Sequence, residues 1–217
     1  MEPTVSGVGV IDKAAAILVA VEHSPASLGD LVNRTGQSRP TTHRLATALE
    51  VHGLLRRTPE GRYALGPRLV TLGHVAADHW PLAEAASEAL ARLRDATGES
   101  AQLYVRHGDS RICLASLESP HGLRTIVATG AVMPLDQGSG GRVLAGEESK
   151  HGWIESVAER EAGVASVSAP VVDARGVTVA AVSVSGPIER LSPTPGSTLG
   201  AAVVAAAKEV AAAAGLI

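Results

Sequence analysis

The feature that most constrains this chain is the order of start and stop signals between residues 27 and 53. Ser27 precedes Leu28-Gly29-Asp30-Leu31-Val32. A hydroxyl there can cap a helix, and an acid three positions on can reach back to the free amides of the first turn. This predicts a short helix ending near Arg34. Thr35-Gly36-Gln37 follows as a tight turn in which Gly36 can take a positive φ. Ser38 can then cap a second helix from Arg39 to about Val51, with Pro40 in the first turn, where it breaks no intrahelical bond, and Gly53 as the stop. Leu45 and Leu49 share the face that packs, while Arg39, His43, Arg44 and Thr47 point away from it. Thr41 falls on the packing side of the wheel but can reach outward past the helix end. A short helix, a turn of a few residues and a second helix whose first turn is rich in Arg, Ser and Thr make the helix-turn-helix pattern.

The flanks fit that pattern. Val10, Ala14, Ile17, Leu18 and Val21 lie on one stripe of a helix over 10–22. After Gly53, Leu54 to Leu65 reads as two short strands around Pro59-Glu60-Gly61, a wing. Residues 1–70 carry eight Lys and Arg against six Asp and Glu, whereas 71–217 carry eleven against sixteen, so the net charge of -3 hides a basic N-terminal third. The predicted partner is double-stranded DNA. Arg39 and Arg44 are placed for bidentate contact with guanine in the major groove. Ser38 and Thr41 are placed for phosphates or a thymine methyl. Arg57 and Arg62 on the wing are placed for backbone or minor groove, and Thr42 and His43 complete the candidate set. Three-helix units with a hairpin also serve as protein-interaction modules, so a small-molecule-binding or protein-docking module without DNA binding stays as the alternative.

Composition narrows the rest. Phe is absent and only two Trp and two Tyr occur, so the cores are aliphatic, and binding of single strands by base stacking is disfavoured. The length suits two domains. Cys113 is the only cysteine, which excludes a disulfide framework and a cysteine-based metal site. No leader pattern and no apolar run of roughly 20 residues is present. The expectation is a cytoplasmic protein with no membrane partner.

Residues 67–79 form a helical stretch, Pro81 interrupts it, and a long helix runs over 82–96. Strand patterns follow at 100–106, 111–118 and 123–128, then at 163–172 and 177–186 around the Asp173-Ala174-Arg175-Gly176 hairpin signal, before a closing Ala-rich helix over 196–214. Helices around an antiparallel sheet define an α+β fold. Gln137-Gly138-Ser139-Gly140-Gly141-Arg142 is either a turn whose amides hold a carboxylate or phosphate, or simply a helix start. Ser166 and Ser168 alternate with apolar residues on one strand, as do Ser183 and Ser185 on its partner. They share one face, which is either a polar cavity or the solvated side of the sheet. No nucleophile elbow, His-Glu-x-x-His motif or ligand-like histidine spacing is found, so neither catalysis nor a cofactor is expected.

Ser6 to Ala14, Ser38 to Leu45 and Glu60 to Gly66 resemble the IclR family of bacterial regulators. Gly98 to Tyr104, Glu159 to Val171 and Ala180 to Pro187 look like its NdgR-type branch, associated with amino-acid metabolism including leucine biosynthesis. The resemblance implies a winged helix-turn-helix domain over 1–66, a helical linker over 67–80 and a GAF-like effector-binding and oligomerisation domain over 81–217. It also implies homodimers or dimers of dimers on palindromic operators, and an effector that is a small organic acid or related to an amino acid. Carried over by position, the effector pocket uses Leu135, Ser139, Gly140, Ser166, Ser183 and Ser185. The chain departs from the family pattern after Gly146: only Glu147 to His151 precede Gly152-Trp153, where the family has a longer helical stretch. A missing surround predicts a lost or more open pocket.

Overall fold

The computed structural model describes residues 6–78 and 80–217. Residues 1–5, on which the reading of the N-terminus partly rests, and His79, expected in the linker helix, lie outside them. The chain forms two compact units, Met1–Ala76 and Ala77–Ile217.

The first unit contains α1 (Gly9–Ala20), α2 (Leu28–Thr35), α3 (Arg39–Val51), β1 (Leu55–Arg57) and β2 (Tyr63–Leu65). Ser27 and Asp30 complete a reciprocal capping box on α2. Gly36 leaves α2 at φ 67°, the left-handed conformation that makes the turn, and its amide closes on the Val32 carbonyl. The turn is tied to α1 by Arg34 Nη1 on Ala20 O and by Gln37 Nε2 on Lys13 O. β1 and β2 pair antiparallel, and Tyr63 also bridges Ala26, extending the wing to a third short segment. Ile17, Leu31, Leu45, Leu55 and Tyr63 form the core. Of the α1 stripe expected from the sequence, Ile17 and Val21 are buried, Ala14 and Leu18 pack at the margin, and Val10 is exposed. α4 (Pro67–Asp78) follows the wing.

The second unit begins with α5 (Pro81–Thr97), which Pro81 starts at its first turn. Strands β3 (Ser100–His107), β4 (Ser110–Leu117), β5 (Val132–Pro134), β6 (Ile154–Val157), β7 (Val164–Val172) and β8 (Thr178–Pro187) form one antiparallel sheet in the order β5-β4-β3-β8-β7-β6. α6 (Gly138–Leu144), α7 (Ile188–Leu191) and α8 (Pro195–Ala213) complete the unit. Strand alternation splits the sheet into two faces. Leu103, Val105, Val167, Val182 and Val184 pack with α5 and α8 in the main core. Tyr104 and Cys113 take the other face and join Val143 and Leu144 of α6 in a smaller cluster.

One expected strand is absent: residues 123–128 carry no ladder, and Leu123 and Ile126 are exposed. The outer edge of β4 is taken by β5, with Ile112 opposite Val132. The 123–128 segment is held instead by side chains, Ser100 Oγ donating to Thr125 O at 2.7 Å and Arg190 Nη2 to Leu123 O at 2.8 Å.

Candidate functional site

α3 is two-faced. Thr42, Leu45, Ala46 and Leu49 are buried at helical spacing, and Arg39, His43, Arg44 and Thr47 are exposed on the remaining surface. Arg39 and Arg44 make no hydrogen bond or ion pair among the described residues. Both guanidiniums keep their donors for a partner. Ser38 occupies the N-cap position without capping: its hydroxyl donates to Thr41 Oγ1 at 2.9 Å, which places two exposed or half-exposed hydroxyls together at the start of the helix.

Of the expected DNA-contacting residues, Thr42 is corrected by the geometry, and the wing residues Arg57 and Arg62 carry internal bonds. Thr42 is fully buried and donates its hydroxyl to Ser38 O, because its position on the wheel is that of Leu45 and Leu49. It belongs to the packing face. Arg57 lies over the Tyr63 ring and gives its donors to Glu50, Gly61 O and the Tyr63 hydroxyl. Arg62 gives its own to Pro25 O, at 2.7 and 3.1 Å, and to Asp30 at 3.3 Å. Both cations fasten the wing to the helices. Arg56, exposed and with no internal partner among the described residues, is the free wing cation.

In the second unit, the four alternating serines face α6. Ser168, Ser183 and Ser185 are buried, so the polar-cavity alternative holds over the solvated one. A chain of hydroxyls joins three of them to the helix: Ser139 Oγ stands 2.7 Å from both Ser166 Oγ and Ser168 Oγ, and Ser168 Oγ donates to Ser183 Oγ at 2.9 Å, while Ser185 Oγ donates to Gln102 Oε1 at 3.1 Å. Ser139, Gly140, Ser166, Ser183 and Ser185 all line one cavity of about 20 Å³. Leu135 does not. It packs among Tyr104, Val143 and Ile154, so it is a core residue rather than part of the pocket wall. The remaining walls include Tyr104, Arg111, Ser156 and Arg160, none of which the sequence pattern singled out. Arg111 shares strand parity with Cys113, which was the available signal.

Two further details change the expected picture. The Gly138 amide, in a segment read from sequence either as an anion-holding turn or as a plain helix start, donates to the chain's own Glu159 Oε2 at 3.0 Å, while Arg142 Nη1 holds Glu159 Oε1 at 2.8 Å. The shortened segment after Gly146 does not widen the serine cavity. It leaves a separate open groove of about 640 Å³ bordered by Val143, Glu147, Lys150, Trp153, Pro170 and Thr178. Burial raises the Tyr104 phenol above its usual value and pushes the Cys113 thiol up to about 12, so both stay protonated at neutral pH.

A winged helix-turn-helix with two unengaged arginines on its second helix, followed by an antiparallel-sheet unit with a small polar pocket, has the architecture of a transcriptional regulator. The chain belongs to the IclR family. Residues 10–59 match the IclR helix-turn-helix domain, and residues 74–150 and 146–212 match the bacterial transcriptional regulator IclR C-terminal domain. The second match comes in two pieces that meet at the shortened segment. The glycerol operon regulatory protein of Streptomyces griseus is 28% identical, over 84% of this chain and 86% of that one. The transcriptional repressor IclR of Escherichia coli is 23% identical, over 88% and 84%. Among solved structures, an IclR transcriptional regulator of Alicyclobacillus acidocaldarius superposes with a TM-score of 0.81 at 22% identity, covering 95% of this chain and 99% of that one. An IclR homologue of Microbacterium hydrocarbonoxydans complexed with 4-hydroxybenzoate gives 0.74 at 18%, covering 94% and 99%. These two share the fold. The protein is a DNA-binding transcriptional regulator of this family, and its relatives carry regulatory names rather than enzymatic ones.

Proposed function

We propose that this regulator reads a palindromic operator through Arg39 and Arg44 and is controlled by a small metabolite bound in the serine pocket, acting in amino-acid metabolism of the leucine type. The observation that carries the reading is the pair of exposed arginines on α3, without internal partners among the described residues and opposite a fully packed face. Ser38 and Thr41 fix the register on phosphates, His43 is an accessory contact and Arg56 supplies the wing's charge. Ser139, Gly140, Ser166, Ser183 and Ser185 contact the effector. The metabolic assignment rests on the NdgR-like segments Gly98–Tyr104, Glu159–Val171 and Ala180–Pro187.

The working unit is a homodimer or a dimer of dimers in the cytoplasm, with residues 67–80 as the linker between a 1–66 reader and an 81–217 effector domain. No described helix is long and apolar enough to cross a membrane. α1 exposes Val10, Ile11 and Val19, and α4 exposes Val70, Leu72 and Val75, apolar rows that a second copy would cover. Effector binding changes operator affinity by favouring one of two arrangements of the paired readers.

Gel-shift titration against the protein's own upstream region, at two salt concentrations and beside random DNA, tests the reading. Arg44→Ala is expected to weaken operator binding far more than random binding, and equal losses on both would refute base readout.

A further inference from the structure

We propose that Arg57 is a positioning residue for DNA binding: it braces the wing against α3 and so aims Arg56 at the duplex, without touching the duplex itself. The inference rests on the reading of α3 and the wing as the DNA grip, and gives Arg57 a part in it other than base or phosphate contact.

The wing needs a brace. β1 and β2 are three residues each, and a two-stranded hairpin is marginal on its own. Tyr63 roots it: the side chain is fully buried, and the backbone exchanges two hydrogen bonds with Ala26 at 2.8 and 2.9 Å. Arg57 is the register partner of Tyr63 and lies over its ring, 3.5 Å from the centre. From there the guanidinium reaches three ways. Nε donates to Glu50 Oε2 on α3 at 3.4 Å, Nη1 to Gly61 O at the wing tip at 2.8 Å, and Nη2 to the Tyr63 hydroxyl. Among the described residues, no other side-chain hydrogen bond links α3 to the wing. The fork of an arginine suits this task, and the single nitrogen of a lysine does not.

Strand geometry ties Arg57 to its neighbour. Successive residues of a strand point to opposite faces. With Arg57 turned onto Tyr63, Arg56 turns away from it, exposed and with no internal partner among the described residues. Release of Arg57 would free the wing tip at Gly61 and leave Arg56 without a fixed direction. The Glu50 link serves geometry more than folding. The two side chains are 40% and 35% exposed, and an ion pair so open to water adds little to stability. An acid on the reading helix also repels a phosphate backbone, so what Glu50 brings to DNA binding is its hold on Arg57.

Anisotropy titration of the full-length protein on a DNA fragment of its own upstream region, at several salt concentrations, tests the brace through a double-mutant cycle. Arg56→Ala is expected to weaken binding at least about fivefold in the wild type but less than about twofold in Arg57→Met, where the cation is no longer aimed. Arg57→Lys should behave as Arg57→Met, because it keeps the charge and loses the fork. The salt slope should fall by about one in Arg56→Ala and no further when Arg57→Met is added. Glu50→Ala should weaken binding several-fold although it deletes a negative charge, and should leave unfolding of the first unit nearly unchanged. Because Arg57→Met also uncovers the Tyr63 ring, the same cycle run on Glu50→Ala decides where that variant fails to fold. Equal costs of Arg56→Ala in both backgrounds, wild-type binding by Arg57→Lys, a further drop in salt slope, or tighter binding by Glu50→Ala would each overturn the proposal. Silence of Arg56→Ala in the wild type would overturn it together with the wing's part in the reading, while a selective loss in Arg44→Ala would keep base readout by α3 standing.

Discussion

Thr42 and Arg44 stand two residues apart on one helix with opposite tasks, and substitutions separate them. Thr42 is buried with its hydroxyl on Ser38 O. Thr42→Val is expected to cost about 1 kcal/mol of stability, read by urea unfolding, while operator selectivity stays unchanged. Arg44→Ala should leave stability within roughly 0.5 kcal/mol and remove about 1–3 kcal/mol of discrimination against wrong bases. Asp30 gives a pH prediction. The Ser27 backbone amide, then the Ser27 hydroxyl, hold its carboxyl below the ordinary 3.8, with smaller help from Arg62 and Arg34. A depressed acid stabilises the native state above its unfolded pKa and loses that effect as pH falls through the lower native value. The stability lost below about pH 3.8 should therefore be smaller in Asp30→Asn than in the wild type, measured by unfolding at stepped pH. Cys113, buried with its thiol at about 12, should react with an aromatic disulfide reagent at pH 8 only as fast as the second unit opens.

Among the elements, α6 depends most on close approach. Gly141 lies so near Arg111 Nη1 and the Leu135 carbonyl that a methyl group would overlap both. Gly141→Ala is expected to cost about 1–3 kcal/mol by overpacking and to pull Ser139 away from Ser166 and Ser168, readable as destabilisation together with a lost ligand response. Elements defined by local signals were legible beforehand. The Ser27 box, the Gly36 turn, the wing and the Asp173–Gly176 hairpin each carry their own punctuation. Elements defined by competition for an edge were not. Residues 123–128 alternate like a strand, but β5 takes the edge of β4, and β6 is four residues long with no run of β-branched side chains. The pocket was legible in its serines, since period-two spacing fixes a shared face whatever the neighbours are. Arg111 was hidden because a charge on a strand reads as solvent-facing until the segment that buries it is in place, and Leu135, carried over by position from the family resemblance, packs into the smaller cluster because a matched position does not fix which way a side chain turns.

For the whole molecule, the cores predict how it unfolds. The first unit is built on Ile17, Leu31, Leu45, Leu55 and Tyr63, and the second on two clusters drawn wholly from residues 86–211. No residue is shared between the sets, so each unit carries its own cooperative transition unless assembly couples them. Leu31→Ala, at a fully buried site of the first, should cost about 2–5 kcal/mol and move only one transition in a calorimetric scan. Val182→Ala, fully buried in the second, should move only the other. Operator DNA added to the scan should raise the transition that Leu31→Ala lowers, and an effector should raise the one that Val182→Ala lowers, each by mass action on its own unit. Control of the reader by the effector then requires that each ligand also shift the opposite transition by the same coupling free energy, since linkage between two binding sites is reciprocal. A scan in which each ligand moves its own transition alone would leave the serine pocket a binding site with no hold over DNA.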